Sequence, residues 1–215
     1  MGKIFEWLDS RFGVKDPHKR FFNRPLPLNL NYSYCLGGMA FTLFLISVIT
    51  GLLLSIYYVP SETEAYKSIV RINEEVRLGW LVRSTHKWSA HLLIVFVILH
   101  TIRVFVKEAY RPPRELNWIA GALTLILTMA SGFTGYLLPW DQKAYWATVV
   151  GTSMAGTAPF IGDYLLHFVR GGADVDGTTL IRFYSLHVLW IPLFMFILLW
   201  AHFHMVRKQG IYRGL

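Results

Sequence analysis

Long runs without charge are the feature that most limits how this chain can fold. No Asp, Glu, Lys or Arg occurs within residues 33–59, 116–140 or 183–206, and a fourth apolar stretch, 78–106, holds only three basic residues. Each run exceeds the roughly 20 residues that an α-helix needs to cross a bilayer core of about 30 Å. With 54% hydrophobic residues, the chain is too apolar for an ordinary soluble domain. The sequence therefore predicts an all-α membrane protein, a four-transmembrane-helix bundle.

Prolines and polar segments set the limits of the four predicted spans, because proline interrupts helical hydrogen bonding. The spans cover about residues 32–58, 79–106, 115–137 and 178–206. Thr178 or Thr179 is predicted to cap the fourth span, and Pro192 inside it predicts a kink. The connection 138–178 is rich in Trp and Tyr, which predicts short helices at the membrane surface.

The net charge of +8 indicates membrane topology rather than nucleic-acid binding. Basic residues gather before the first span, between the second and third, and after the fourth, whereas the other two connections are mostly acidic. By the positive-inside rule, both termini are expected on the cytoplasmic side or its stromal equivalent. Residues 1–31 are predicted to be an amphipathic basic segment on that side, and residues 32–215 the transmembrane domain.

Four histidines occupy matched positions in the second and fourth spans. His86 and His100 are fourteen residues apart, which places them about 21 Å apart along the helix and within about 40° of one face. His187 and His202 are fifteen apart and overshoot four turns by about 60°, part of which the Pro192 kink can absorb. Because the two spans run in the same direction, His86 matches His187 at an outer level, and His100 matches His202 at an inner level. This arrangement predicts two haems b held between the second and fourth spans.

Alternatives to haem ligation exist for any histidine in a span. A lone intramembrane histidine is more often a packing residue, and this interpretation is preferred for His91 and His204, which face away from the predicted ligands. It also holds for His18 and His167, which lie outside the spans. A proton-coupled transporter that uses intramembrane histidines is a rival of a different functional class.

Paired glycines give a second signal with the same spacing. Gly37 and Gly51 in the first span, and Gly121 and Gly135 in the third, are each fourteen residues apart. Glycine destabilises a helix interior by about 0.5–1 kcal/mol, so such placement needs a reason. Either a flat cofactor approaches the backbone at two depths, or small residues allow ordinary close packing of helices. The period of fourteen that the glycines share with the histidines favours packing against haem.

Three arginines lie close to the predicted ligands. Arg83 is near the outer level, whereas Arg103 and Arg114 are near the inner level. A haem carries two carboxylates, which guanidinium groups can bind bidentately. Alternatively, these side chains extend to the lipid headgroups, an interpretation of equal weight for Arg103.

Six motifs carry a resemblance to a known family. They are YCLGG at 34–38, RSTHKW at 83–88, RPPRELNW at 111–118, GFTGYLLPWDQ at 132–142, TTLIRFYSLH at 178–187 and HFHMVRKQGI at 202–211. Over residues 31–215 the chain resembles cytochrome b6 of the cytochrome b6f complex and, equally, the split cytochrome b of bacterial menaquinol–cytochrome c reductases. The fifteen-residue gap between His187 and His202 is also typical of the b6 type.

The resemblance implies a set of cofactors. The four histidines paired above would be the axial ligands of an outer and an inner haem b. A further haem c would be attached to Cys35 through one thioether, on the inner side beside a quinone-reducing pocket and near Arg207. The sequence has no Cys-x-x-Cys-His motif, so without the resemblance Cys35 would be taken for an inert buried cysteine.

The resemblance also implies a function. Electrons would pass from quinol oxidised on the outer side, through the two haems b, to a quinone on the inner side, coupled to proton translocation. The chain would be a subunit of a quinol–cytochrome c or plastocyanin reductase of respiration or photosynthesis, inactive alone. The implied quinone region comprises Ile126, Met129, Pro139, Trp140, Asp141, Gln142 and Arg207. The alternative is a dihaem b quinone-reactive membrane anchor of a dehydrogenase, or a ferric-reductase-like protein.

Several partners follow from the same resemblance. No Pro-Glu-Trp-Tyr motif occurs in the chain, and in the family this motif belongs to a three-helix, subunit-IV-like membrane protein that completes the quinol-oxidising pocket. A Rieske iron–sulfur protein, a c-type cytochrome and membrane lipid are the other expected partners, in a dimeric complex. The choice between plastoquinol and menaquinol stays open at this point.

Overall fold

The computed structural model describes residues 32–210, and every structural statement below refers to that part of the chain. It contains helices and no strand. Four of its helical segments are long and apolar enough to cross a membrane. The predicted all-α, four-span architecture is therefore confirmed, while the predicted amphipathic segment 1–31 lies outside the described residues.

Eight α-helices follow one another along the described residues. They are α1 Leu36–Ser55, α2 Ala65–Glu74, α3 Gly79–Val106, α4 Glu115–Leu137, α5 Gln142–Gly156, α6 Gly162–Arg170, α7 Gly177–Ser185 and α8 Ile191–Gln209. A 3₁₀ turn, Tyr32–Cys35, leads into α1, and a π-helical turn, Leu186–Trp190, joins α7 to α8. The four spans are then Tyr32–Ser55, Gly79–Val106, Glu115–Leu137 and Gly177–Gln209. The second and third spans have the predicted bounds.

The start of the fourth span differs from the prediction. Asp176, and not Thr178 or Thr179, is its N-cap: the Asp176 carboxylate accepts hydrogen bonds from the backbone N–H of Thr178 at 2.8 Å and of Thr179 at 3.2 Å. In return, the Thr179 hydroxyl accepts from the Asp176 N–H at 3.2 Å. A carboxylate is favoured here because it satisfies free N–H groups at the positive end of the helix dipole.

The middle of the fourth span contains a π turn where the sequence predicts a kink. In this turn the Ile191 N–H donates to the carbonyl of Leu186, five residues back. Pro192 follows directly and has no N–H to donate, so the helix before it loses regular α bonding at this point. A π turn holds one residue more than an α turn. It therefore absorbs the one extra residue of the fifteen-residue spacing from His187 to His202, and both side chains face the second span.

The spans pack in pairs within the bundle. The first lies mainly against the second, and the third mainly against α8 of the fourth. Phe44 of the first span, Leu93 of the second and Met195 of the fourth belong to one buried cluster that joins three spans. Large apolar side chains elsewhere point outwards, such as Trp200 with 68% of its surface exposed. Such an exterior suits contact with lipid or with other membrane subunits.

The polar connection 60–78 contains a helix that the sequence analysis does not predict. In α2 the buried residues Ala65, Ser68 and Ile72 have the i, i+3, i+7 spacing of one helical face, a signal that was present in the sequence. Next to α2, the Tyr58 hydroxyl donates to the carbonyl of Leu138 at 2.6 Å and ties the end of the first span to the third. Burial, and to a lesser extent the neighbouring Tyr184, raises the pKa of Tyr58, so the phenol remains a donor.

The connection 138–178 forms two short helices, as predicted, and a buried arginine joins them. Arg170 at the end of α6 is only 7% exposed. Its guanidinium donates to Thr152 Oγ1 at 2.8 Å, Ser153 Oγ at 2.8 Å, Val149 O at 3.0 Å and Ala173 O at 2.7 Å. All four acceptors are neutral oxygens, so the charge is stabilised by charge-assisted hydrogen bonds to their dipoles, and these bonds fix α6 on α5.

Candidate functional site

The four predicted ligands form two pairs in the structure. At the outer level, His86 of the second span and His187 of the fourth have ring centres 6.1 Å apart with planes at 82°. At the inner level, the His100 and His202 ring centres are 6.4 Å apart with planes at 83°. Two protein segments distant in sequence thus bring one pair of imidazoles together at each depth.

The distance between ring centres in each pair is the one expected for two imidazoles bound to a single metal ion. Imidazole nitrogens bind first-row metals at about 2 Å, and each nitrogen lies about 1 Å from the centre of its ring. Two imidazoles on opposite sides of one metal therefore have ring centres about 6 Å apart. Among the described residues, no group of three or more His, Cys, Asp or Glu side chains is placed to hold a metal ion. A haem iron takes only two axial ligands from the protein, which is the number of imidazoles at each level.

Backbone carbonyls of the facing spans hold three of the four histidines in one tautomer. The Nδ1 of His86 lies 3.0 Å from Ser47 O, that of His187 lies 2.9 Å from Ser131 O, and that of His202 lies 3.2 Å from Asn117 O. A carbonyl can only accept, so Nδ1 carries the proton and Nε2 keeps its lone pair. Nδ1 of His100 is buried without a hydrogen-bond partner in the described part of the chain. Neutral imidazoles with Nε2 free are the form that binds a metal.

Each of the four predicted glycines faces one of the four histidines. A Cβ built on Gly135 would lie 2.5 Å from Cε1 of His187, and a Cβ on Gly37 or Gly51 would lie 3.1 Å from Cε1 of His100 or His86. Only at Gly121 would the added atom make an ordinary contact, 3.4 Å from Cε1 of His202. The glycines share the histidine spacing because each one leaves space for an imidazole ring.

Sequence reasoning missed the carbonyls that accept from the histidines. Ser47, Ser131 and Asn117 each lie four residues before one of the glycines, one helical turn away on the same face. The signal that could have located them was therefore present, because a ring that packs against a helical glycine also reaches the carbonyl one turn earlier.

A cavity of about 280 Å³ lies at the inner level between all four spans. Gly37, His100, Gly121 and His202 line it, together with Arg103 and Arg114. The remaining lining is largely apolar, as is typical of a cofactor site with a few polar groups that fix orientation.

Comparison with known proteins agrees with this geometry. The family described as Cytochrome b/b6/petB matches residues 21–210. Cytochrome b6 of Auxenochlorella protothecoides is 42% identical over 211 residues, and cytochrome b6 of Euglena gracilis is 41% identical over 211 residues; each match covers 98% of both chains. A solved structure named "Hyperthermophilic respiratory Complex III" has a TM-score of 0.86 at 32% identity. It covers 96% of this chain, which spans 55% of the length of that one.

The chain belongs to the cytochrome b/b6 family. The predicted resemblance is therefore confirmed, and with it the general character of the protein: a haem-binding, integral membrane protein of electron transport. The relatives also support its place as an electron-transfer subunit of an oxidoreductase complex of the bc or b6f type.

The three predicted arginines differ in their surroundings. The Arg103 Nε donates to Ser33 Oγ at 3.2 Å, and its guanidinium lies 3.9 Å from the centre of the Tyr34 ring. The Arg114 guanidinium donates to the carbonyls of Gly210 at 3.0 Å and Gln209 at 2.9 Å, the last ones of the fourth span. Arg83 is partly buried on the second span, near His86. At Arg114 a cation satisfies a helix C-terminus, a role that the sequence analysis does not foresee.

Cys35 lies at the junction of the 3₁₀ turn and α1, where its thiol is exposed and free of any disulfide. It is not the inert buried cysteine that its sequence context alone would suggest. An open groove of about 640 Å³ runs beside it between the first and second spans. Its lining includes Met39, Leu92 and Phe96 and is mostly apolar.

The residues of the implied quinone region are spread along the third span and the turn that follows it. Ile126 and Met129 are exposed on the span, and Met129 precedes Leu137 by eight residues, or about 12 Å of helix. Asp141 caps α5 by accepting from the Ala144 N–H at 2.8 Å. Gln142 accepts from Trp146 Nε1 at 3.0 Å.

Trp140 and Arg207 complete that region, and they lie at opposite ends of the bundle. Trp140, which follows Pro139, has a left-handed backbone with φ of 53°, and its ring packs edge-on against Tyr145. Arg207 is exposed near the end of α8, at the inner end of the fourth span.

The histidines predicted not to be ligands pair with other groups. His91 packs edge-on against Trp88, and His204 stacks on Trp200. His167 Nδ1 lies 2.9 Å from Asp163 O in α6. His18 lies outside the described residues.

Proposed function

We propose that the chain carries electrons across the membrane, from quinol oxidation on the outer side to quinone reduction on the inner side, coupled to proton translocation. It would do so as a subunit of a quinol–cytochrome c or plastocyanin reductase. The observation that carries the proposal is the presence of two imidazole pairs at two depths, about 21 Å apart along the second span. One carrier at each depth divides the membrane into steps short enough for electron transfer.

Two haems b fit the side chains at these two depths. His86 and His187 would hold the outer haem and His100 and His202 the inner one, with Nε2 as the ligand atom. A haem so held supplies a one-electron couple whose potential the axial ligands and their hydrogen bonds adjust. The carbonyl contacts support this assignment, because Nδ1 bonding to a fixed acceptor orients a ring and keeps Nε2 available.

The glycines and arginines have supporting roles in the proposed sites. Gly37, Gly51, Gly121 and Gly135 let the rings lie against the backbone, which fixes their position without a side chain in between. Arg103 and Arg114, both on the inner cavity, would bind the carboxylates of the inner haem, and Arg83 those of the outer haem. Arg114 would share its guanidinium between a carboxylate and the carbonyls that it already binds.

Quinone binding is proposed on both sides of the bundle. On the outer side, Ile126 and Met129 offer an exposed apolar face, and the turn formed by Pro139, Trp140, Asp141 and Gln142 offers polar groups. On the inner side, Arg207 supplies a positive charge near the end of the fourth span. A three-helix, subunit-IV-like partner would complete the outer pocket, since this chain lacks the Pro-Glu-Trp-Tyr motif.

A Rieske iron–sulfur protein and a c-type cytochrome are the proposed redox partners, in a dimeric complex within the lipid bilayer. We place both termini on the cytoplasmic or stromal side. The distribution of basic residues supports that orientation, and four spans return the chain to the side on which it begins.

The test of this function is quinol-driven haem reduction in a gently purified complex. We expect two b-type haems per chain, reduced by quinol only when the Rieske protein is present and oxidised. Reduction that depends on a flavin or molybdenum partner instead would favour the dehydrogenase anchor. A purified chain without a Soret band would refute haem binding and leave the transporter.

A haem c on Cys35 is a separate part of the proposal. The exposed thiol beside an apolar groove supports it, because a thioether needs an accessible sulfur and a porphyrin needs an apolar surface. On denaturing gels we expect haem-dependent peroxidase activity at the position of this polypeptide, because a covalent haem survives denaturation. Cys35→Ser should abolish that activity and leave the two b haems in place. A wild-type band without activity would end this part of the proposal.

A further inference from the structure

The outer level is enclosed by a repeated motif that the inner level lacks. Residues 47–51 in the first span read SVITG and residues 131–135 in the third read SGFTG, so both follow Ser-x-x-Thr-Gly. The corresponding inner segments, SYCLG at 33–37 and NWIAG at 117–121, have Leu36 and Ala120 in place of the threonine. The two levels therefore share the glycine and differ in the hydroxyl beside it.

At His86 this hydroxyl adds a second acceptor. Nδ1 lies 3.0 Å from Ser47 O and also 3.0 Å from Thr50 Oγ1. The Thr50 hydroxyl lies 2.6 Å from the carbonyl of Ile46, which takes its only proton. Its oxygen can then only accept from Nδ1–H, so two acceptors share that proton.

The surroundings of Ser47 make this arrangement rigid. The Ser89 hydroxyl donates to the carbonyl of His86 at 3.0 Å, and so accepts from the Ser47 hydroxyl at 2.8 Å. This chain of bonds ties the first span to the second beside the histidine.

His187 repeats the pattern with longer contacts. Its Nδ1 lies 2.9 Å from Ser131 O, and the hydroxyls of Ser131 and Thr134 are each 3.4 Å away. The Thr134 hydroxyl lies 2.9 Å from the carbonyl of Ala130, which takes its proton, so it too faces Nδ1–H with a lone pair. At the inner level, by contrast, His202 has the carbonyl of Asn117 and His100 Nδ1 has no acceptor among residues 32–210.

We propose that Thr50 and Thr134 are positioning residues that tune the outer level alone, by lowering the reduction potential of an iron held between His86 and His187. An acceptor on Nδ1–H makes Nε2 a stronger electron donor, and a stronger donor stabilises the oxidised metal. The proposal rests on the haem ligation proposed above. It adds two residues that do not touch the metal.

The experiment is a redox titration of the b haems in the intact complex, followed by absorbance and by the low-spin ferric EPR signal. Thr50→Val and Thr134→Val remove the hydroxyl at nearly constant volume, whereas Thr50→Ser and Thr134→Ser keep it. Thr128→Val is the matched control: Thr128 is a buried threonine on the same span as Thr134, and its hydroxyl bonds to the carbonyl of Thr124.

We expect the valine variants to raise the potential of the outer haem and to shift its EPR signal. At a fixed ambient potential, the ratio of reduced to oxidised outer haem should rise by up to about tenfold, which for a one-electron couple is about 59 mV. Thr50→Val should have the larger effect, because its contact is the shorter one. The serine variants and Thr128→Val should leave the outer potential unchanged. The valine and serine variants of Thr50 and Thr134 should leave the inner potential unchanged.

Three outcomes would overturn the proposal. Valine variants that titrate like the wild type would remove any role for the hydroxyls, and serine variants that shift as far as valine would show a packing effect. If Thr50→Val does not assemble, Thr134→Val decides in the same way. Wild-type complex without b haem would refute the ligation itself, which is distinguishable from two bound haems with unaltered potentials.

Discussion

His202→Ala is expected to remove the inner haem b and to leave the outer one in place. The substitution deletes one of the two imidazoles at the inner level, while His86 and His187 stay paired at the outer level on residues about four helical turns away. The haem content measured as the pyridine haemochrome should fall from two b haems per chain to one. The remaining haem should keep the spectrum and potential of the outer site.

The control for this prediction lies two residues further along the same helix. His204 stacks on Trp200 and faces another direction, so His204→Ala makes a similar change in volume and polarity without touching the pair. It should retain both haems. Unchanged haem content in His202→Ala would contradict the assignment of the inner ligands.

Gly135→Ala is expected to disrupt the outer site with almost no change in polarity. The new Cβ would lie 2.5 Å from Cε1 and 3.0 Å from Nδ1 of His187. That ring cannot move away freely, because its Nδ1 bonds to Ser131 O at 2.9 Å. We expect loss or altered ligation of the outer haem and a loss of stability of about 1–3 kcal/mol, typical of an overpacked core. Haem content and thermal unfolding of the purified complex measure the two effects.

Alanine substitutions at the other three glycines that face a histidine serve as controls with weaker expected effects. Gly121→Ala creates only an ordinary 3.4 Å contact with His202 and should be tolerated, whereas Gly37→Ala and Gly51→Ala, at 3.1 Å, should fall in between. Equal losses at Gly135 and Gly121 would show that the distance from the new Cβ to the imidazole ring does not determine the outcome.

The sequence predicted the spans and the histidine pairs because both depend on local periodicity. A charge-free run of this length is expected to cross a bilayer as an α-helix. On such a helix, a spacing of fourteen residues determines both the difference in depth between two side chains and the face on which they lie. The glycine spacing was also visible in the sequence. Its direct partner, the imidazole ring, was not, because sequence position does not say which span lies opposite.

Other features required the tertiary structure for similar reasons. The burial of Arg170 is a further example, because its acceptors come from α5 and from the loop that follows α6. Arg114 reads as a haem partner and in addition binds the final carbonyls of the fourth span.

By itself the sequence determined four apolar spans, two histidine depths and membership of the cytochrome b/b6 family, since these are properties of helix length, helical period and motif. Only the tertiary structure decided what surrounds each imidazole: the carbonyl one turn before three of the four glycines, the threonine hydroxyls beside His86 and His187, and the π turn that brings His202 back into line. Each of these depends on how neighbouring helices are rotated and placed against one another. Packing across the bundle sets that rotation, and no periodicity within a single helix encodes it.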